Sequence, residues 1–146
     1  MPSWDGWAVS FGVVALDQGL KAWAVRALAL GETKPVLGEF FRLTRVHNPG
    51  AAFGVFPRGT AAFLAVSVAV ALGLFFYLLF SKPTSLRAWG SALILGGTLG
   101  NLIDRARLGY VIDLFAVQNF PVFNVADAAL VVGVGLLALG ILWGSR

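Results

Sequence analysis

The sequence predicts an all-α membrane protein built on four transmembrane helices. Three observations carry that reading. Of 146 residues, 58% are apolar and 12% charged, with a mean hydropathy of +0.83, whereas an ordinary soluble domain is about 25% charged. Apolar runs long enough to cross a bilayer core of about 30 Å recur along the chain. The polar residues that interrupt them stand at helical spacing. Together these features exclude a soluble globular domain, a disordered chain and a collagen-like fibre. The length allows a single domain, residues 1–146.

The first span, Trp7 to about Leu28, carries Asp17, Lys21 and Arg26. It is accepted as a span because Asp17 and Lys21 stand at i, i+4 and pair on one helix face. Gly59 to Ser81 is free of charge and gives the second. Ala88 to Ile103 gives the third and runs on to about Leu108. Ala128 to Ser145 gives the fourth, starting near Asn124. Helices are therefore expected at 7–28, 60–80, 88–108 and 123–143.

An even number of spans puts both termini and the short 81–87 loop on one face. The long 29–59 segment, with Pro35, Pro49 and Pro57, shares the other face with the mostly apolar 109–122 connection. Trp4, Trp7, Trp89 and Trp143 fall near helix ends on the terminal-bearing face, as an aromatic belt would. The positive charges point the other way. Lys82, Arg87 and Arg146 lie on the terminal-bearing side. Lys34, Arg42, Arg45 and Arg58 lie opposite, with Arg26, Arg105 and Arg107 nearby. Counted alone, they would put the long loop in the cytoplasm. Gly96/Gly100 and Gly140/Gly144 have the small-residue spacing that lets helices approach closely.

The formal charge of +4 is scattered singly, without the basic run expected of a nucleic-acid binder; these charges suit lipid headgroups. No cysteine is present, and His47 is the single histidine. Thiol nucleophiles, thiolate metal sites and paired-histidine zinc motifs are thereby removed. None of the seven serines sits in a G-x-S-x-G elbow. No cleavable signal peptide is expected at the start. Catalysis, if any, falls to seven carboxylates: Asp5, Asp17, Glu32, Glu39, Asp104, Asp113 and Asp127.

Ionisable groups at membrane depth are costly and mark the places to look for chemistry. Four clusters stand out. Asp17 and Lys21 form either a self-neutralising pair or a support for a polar cavity. His47-Asn48-Pro49-Gly50-Ala51-Ala52-Phe53-Gly54 reads as a tight turn or as a loop presenting Asn48. Gly100-Asn101-Leu102-Ile103-Asp104-Arg105 puts Asn101, Asp104 and Arg105 on one helix face, which must meet other helices or a cavity. Asn124 can cap the fourth helix with Asp127 answering from N3. That leaves Asp113 unexplained in its apolar loop. If helices three and four are antiparallel neighbours, the 109–122 connection brings Asp113 to Asp127. Two close carboxylates share a proton, so one can serve as base toward water and the other as acid.

In order along the chain, Asp17–Lys21, Asn48-Pro-Gly-Ala-Ala-Phe-Gly54, Gly100-Asn-Leu-Ile-Asp-Arg105, Gly109-Tyr-Val-Ile-Asp113 and Phe123-Asn-Val-Ala-Asp127 resemble bacterial lipoprotein signal peptidase (signal peptidase II), a family of membrane aspartyl proteases. The resemblance spans nearly the whole chain. It implies a single peptidase domain in the bacterial inner membrane, with both termini cytoplasmic and the site toward the outer face. It adds a small extracytoplasmic β-cradle and an interfacial helix between helices one and two. The implied substrate is a prolipoprotein carrying diacylglyceryl on its lipobox cysteine, cut just before that cysteine. By motif, Asp113 and Asp127 are the implied catalytic pair. Asn48, Asn101, Arg105 and Asn124 line the substrate site, and Asp17, Lys21 and Gly54 support it. No metal, cofactor or nucleic acid is implied. Partners are the substrate and membrane lipids, and a monomer is expected. The implied orientation overrides the count of positive charges; basic groups on the outer side would then meet lipid phosphates.

Two other classes compete. A small proton-coupled transporter would use Asp113 and Asp127 as relay sites, but no internal repeat is evident and both acids stand at helix ends. A purely structural membrane subunit leaves the carboxylates unexplained.

Overall fold

The computed structural model describes residues 4–50, 60–81 and 85–144. Four long helices and three strands follow in the order α1 (Trp4–Ala27), β1 (Thr33–Leu37), β2 (Phe41–Asn48), α2 (Thr60–Phe80), α3 (Ser85–Leu108), β3 (Val111–Val117) and α4 (Val125–Trp143). The chain is mostly helical, and its strands form one antiparallel sheet in the order β1-β2-β3. The four helices fall where expected, with α1 and α3 each starting three residues earlier.

Three of the helix ends have an identifiable cause. The last carbonyls of α1 have no partner further along the helix. Arg45 of β2 answers them, donating from Nη1 to Leu28 O at 3.1 Å and to Val25 O at 3.4 Å. Gly109, at φ 78°, closes α3 in the left-handed conformation that favours glycine. Asn124 caps α4 as expected: its side chain accepts from the Asp127 backbone N–H, and the Asp127 carboxylate accepts from the Asn124 N–H.

α3 lies among the other three helices, held close by small residues. A Cβ added at Gly90 would stand 2.5 Å from the backbone nitrogen of Leu137, and one at Gly97 2.5 Å from the carbonyl oxygen of Ala126. These contacts run antiparallel along α4. Gly96 meets Ser10 and Val13 of α1, and Gly100 meets Asp17. Gly140 closes on Arg87 and Leu86. Both small-residue motifs therefore serve packing, as expected. Near the chain-terminal end of the bundle, Trp7 of α1 meets Phe75 of α2 edge-on at 5.2 Å. The apolar bulk points outward: Val66, Phe76, Phe80, Val131 and Leu142 are exposed on α2 and α4. Ala61–Phe80 and Val125–Trp143 are long and apolar enough to cross a membrane.

The sheet corrects one expectation. The cradle is not confined to the segment between helices one and two, because its third strand, β3, comes from the connection after α3. Asp113 stands opposite Val46 in the β2–β3 register. From Val111 to Leu114 every residue of β3 is buried. A strand covered on both faces reads as an unbroken apolar run, so its period of two is hidden. The expected interfacial helix would fall within 51–59, outside the described residues, and Gly54 lies there too.

Candidate active site

Alternation along β3 sorts its side chains. Leu114 packs with Ala24 of α1 and with Leu28 just past its end. Asp113 turns the other way, into a cavity of about 460 Å³ lined also by Asn48, Asn101, Arg105, Asp127 and the apolar Val111, Phe120, Phe123, Leu130 and Val131. The chain then folds back, with Leu114 and Phe115 both donating to the carbonyl of Phe123. That return sets Asn124, the α4 cap, beside Asp113.

Three asparagines hold the two carboxylates. Asn124 Nδ2 donates to Asp113 Oδ1 at 3.0 Å, and Asn48 Nδ2 donates to Asp113 Oδ2 at 3.3 Å. Asn101 Nδ2 donates to Asp127 Oδ1 at 3.0 Å. Asn101 and Asn124 are themselves joined, Asn124 Nδ2 donating to Asn101 Oδ1 at 3.0 Å. The two acids are thus tied into one network on one wall. Asn48 also closes its own turn, its Oδ1 accepting from the Gly50 N–H at 3.0 Å.

Behind this wall lies a buried ionic cluster. Lys21 Nζ stands 2.7 Å from Asp17 Oδ2 and 2.9 Å from Asp104 Oδ2, and donates to Asn101 Oδ1 at 3.1 Å. An ammonium has three protons, and all three find partners. Asp17 Oδ1 accepts from the Ala126 N–H in the first turn of α4. Asp104 Oδ2 accepts from the Ile112 N–H of β3. Gln18 Nε2 bridges Asp17, Asp104 and the carbonyl of Gly100. The cluster therefore ties α1, α3, β3 and α4 together at the level of the cavity. It also sets the Asn101 amide: with its oxygen toward Lys21, its NH2 must face Asp127.

Electrostatics distinguishes Asp113. Burial, and then the neighbouring Asp127 charge, push its carboxyl from 3.8 up to about 7. The hydrogen bonds from Asn48 and Asn124 and the charge of Lys21 oppose that rise without cancelling it. His47, stacked on Tyr110 at 4.1 Å, is held below its ordinary value by burial and by Arg45.

Among the expected residues, Asp113, Asp127, Asn48, Asn101, Arg105 and Asn124 come together, with Asp17 and Lys21 behind them. Arg105 is half-buried in the cavity wall, its guanidinium 5.7 Å from the Phe63 ring and 3.5 Å from the Gly50 carbonyl. The polar face of α3 is divided: Asn101 and Arg105 reach the cavity, while Asp104 turns to Lys21. Two members were not singled out from the sequence as site residues, Asp104 and Gln18. Asp104 carried a signal, a third carboxylate one helical turn from Asn101. Gln18 carried only its position beside Asp17 in an apolar segment. Among the described residues, no three acidic or histidine side chains converge as metal ligands.

Comparison with known proteins supplies the family. The profile of the family described as signal peptidase (SPase) II matches residues 9–143. A lipoprotein signal peptidase of Moorella thermoacetica is 48% identical over 128 residues, covering 86% of this chain and 84% of that one. One from Desulfitobacterium hafniense is 43% identical over 142 residues, covering 94% and 93%. A solved bacterial membrane enzyme superposes with a TM-score of 0.90 at 26% identity, covering 97% of this chain and 90% of that one. With a family profile over most of its length, relatives above 40% identity and the fold of a solved membrane enzyme, the chain is a membrane protein and belongs to the signal peptidase II family.

Proposed function

We propose that this chain is a membrane aspartyl endopeptidase that removes the signal peptide from diacylglyceryl-modified bacterial prolipoproteins, cutting just before the lipidated cysteine. The observation that carries the aspartyl reading is the placement of Asp113 and Asp127 on one cavity wall, each held by an asparagine amide. Membership of a signal peptidase family supports the substrate class.

In the mechanism, Asp113 holds a proton near neutral pH and Asp127 carries the charge. A water between them loses a proton to Asp127 as its oxygen attacks the scissile carbonyl. Asp113 donates its proton to the carbonyl oxygen, giving a neutral tetrahedral diol. Asp127 then passes its proton to the departing nitrogen of the lipidated cysteine, while Asp113 recovers one from a diol hydroxyl as the C–N bond breaks. Both carboxyls return to their starting states. Asn48, Asn101 and Asn124 hold the acids in place. Arg105 positions the peptide, and the apolar wall of Leu130 and Val131 suits acyl chains.

The same reading makes all four helices transmembrane, within a single integral domain over 1–146. At 24 residues each, α1 and α3 are about 36 Å long, enough to cross. Asp17, Lys21 and Asp104 are drawn inward into the buried cluster and Arg105 into the cavity wall, while Arg26 and Arg107 stand exposed at the helix ends. The protein would sit in the inner membrane as a monomer, termini cytoplasmic and sheet outside.

The test is cleavage of a diacylated lipobox peptide by purified protein in detergent. Asp113→Asn and Asp127→Asn are each expected to lower the rate by at least about a thousandfold, with the double variant scarcely slower, since a unit is broken once. Thermal melting controls for folding. A well-folded Asp113→Asn protein cutting at the wild-type rate would sink the two-aspartate mechanism.

A further inference from the structure

A second cavity lies on the other side of the Lys21 cluster from the candidate active site. It measures about 170 Å³ and is lined by Gln18, Lys21, Ala22, Val25 and Arg26 of α1 with Arg107 and Ile112. Arg105 and Arg107 are about 200° apart around α3, which is why one arginine serves each cavity. From this second cavity we infer a binding site for the phosphate group of an anionic membrane phospholipid, gripped by Arg26 and Arg107.

The inner wall offers no binding capacity of its own. All three Lys21 protons are used. Each oxygen of Asp17 and Asp104 already has a partner. The cluster holds two carboxylates and one ammonium, so it repels an anion from the depth of the cavity and offers a metal no free oxygen. The available charge is at the mouth. Arg26 and Arg107 are exposed and make no ion pair or hydrogen bond with any described residue. Both stand in the last turn of a helix, where the dipole alone would favour a cation. That preference accounts for each arginine singly and not for their convergence on one cavity.

Arg26 and Arg107 line one cavity, and guanidinium is the side-chain group suited to bidentate hydrogen bonding of a phosphate. Cavities for whole small-molecule ligands run to about 300–1,000 Å³, so this one suits a headgroup whose remainder lies elsewhere. The surroundings provide for that remainder. Val25 of the cavity lining is itself exposed, and Trp23 on α1 and Ile103 on α3 are exposed one helical turn from Arg26 and Arg107, an apolar surface for acyl chains with an indole of the kind found where headgroups meet hydrocarbon.

The experiment is native mass spectrometry of the delipidated full chain in detergent, titrated with phosphatidylglycerol, with dioleoylglycerol and with inorganic phosphate. Phosphatidylglycerol is expected to be retained by the wild type and about tenfold more weakly by Arg26→Gln/Arg107→Gln. Lys34→Gln/Arg42→Gln, which removes two charges from the sheet, should stay within about twofold of wild type. Dioleoylglycerol should not be retained, and millimolar phosphate should not displace the lipid. Equal losses in the two double variants would reduce the effect to diffuse charge and overturn the site. So would undiminished retention by the Arg26/Arg107 variant, or retention of dioleoylglycerol. Displacement by inorganic phosphate would assign the cavity to a free anion and overturn the lipid. If the glutamine pair fails to fold, Arg26→Lys/Arg107→Lys keeps the charge and loses the forks; retention about threefold weaker is expected, and wild-type retention overturns the proposal. Because neither arginine reaches the larger cavity, peptide cleavage in lipid-free detergent should stay unchanged.

Discussion

Asp113 carries the sharpest energetic conflict in the molecule. Its carboxyl is buried beside Asp127 and pushed up to about 7. A carboxyl whose folded value is raised stabilises the fold fully below its unfolded value and loses that contribution as pH rises through the folded one. Between about pH 4 and pH 7 the native state should therefore lose stability, by an upper bound of about 4 kcal/mol. Asp113→Asn removes that dependence. It is expected to melt higher than wild type at pH 8, with the gain vanishing near pH 4; equal melting curves at pH 8 would show that Asp113 is ionised at little cost. Cleavage should likewise decline as pH rises through about 7, when the Asp113 proton is lost. Arg105 tests the other end of the site. Its fork contacts a carbonyl and an aromatic face together, which a lysine ammonium cannot reproduce. Arg105→Lys should cut at least about tenfold more slowly with melting unchanged, and a wild-type rate would mean that charge alone suffices.

At the scale of elements, the site depends on how closely α4 approaches α3. Gly97 lies one turn before Asn101, and its missing side chain admits the Ala126 carbonyl. Gly97→Ala should push the start of α4 away, lengthening the Asn101–Asp127 bond and costing about 1–3 kcal/mol of overpacking strain. Melting temperature and cleavage should fall together. Gly12→Ala, where an added Cβ meets nothing within 4 Å, should leave both near wild type. Equal behaviour of the two variants would show that the helix pair yields freely. β3 makes the complementary contribution. It carries Asp113 in a run buried on both faces, so the strand was illegible until β2 appeared beside it. Its approximate position was legible, because the α3–α4 connection had to lie between Arg107 and Asn124.

For the whole molecule, orientation has a clean handle, since the chain contains no cysteine. Glu39, whose side chain is 84% exposed at the β1–β2 turn, and Ser85, at the start of α3, belong to opposite ends of the bundle. If the proposed orientation holds, in intact cells stripped of their outer barrier Glu39→Cys should react with a membrane-impermeant maleimide and Ser85→Cys should not until the membrane is opened. The reverse pattern would place the sheet in the cytoplasm, as the positive charges taken alone suggest. The imbalance of those charges acquires a role if Arg26 and Arg107 bind lipid phosphate.

Composition and one-dimensional spacing determined the elements that depend on local physics. Apolar runs of spanning length marked the helices, and the Asn124–Asp127 spacing marked the α4 cap, because a capping box closes within four residues. The ordered polar motifs marked which residues would meet, without saying how. Tertiary structure alone decided the rest. Asp104 left the cavity face of α3 because Lys21 stood ready to neutralise it, and Gln18 became a bridge because α3 presented a carbonyl opposite. The orientation of the Asn101 amide, and with it the hydrogen bond to Asp127, depends on an ammonium 80 residues away in sequence. Side-chain hydrogen bonds between helices are set by crossing geometry and by which partners desolvation forces together, and neither is written in local spacing.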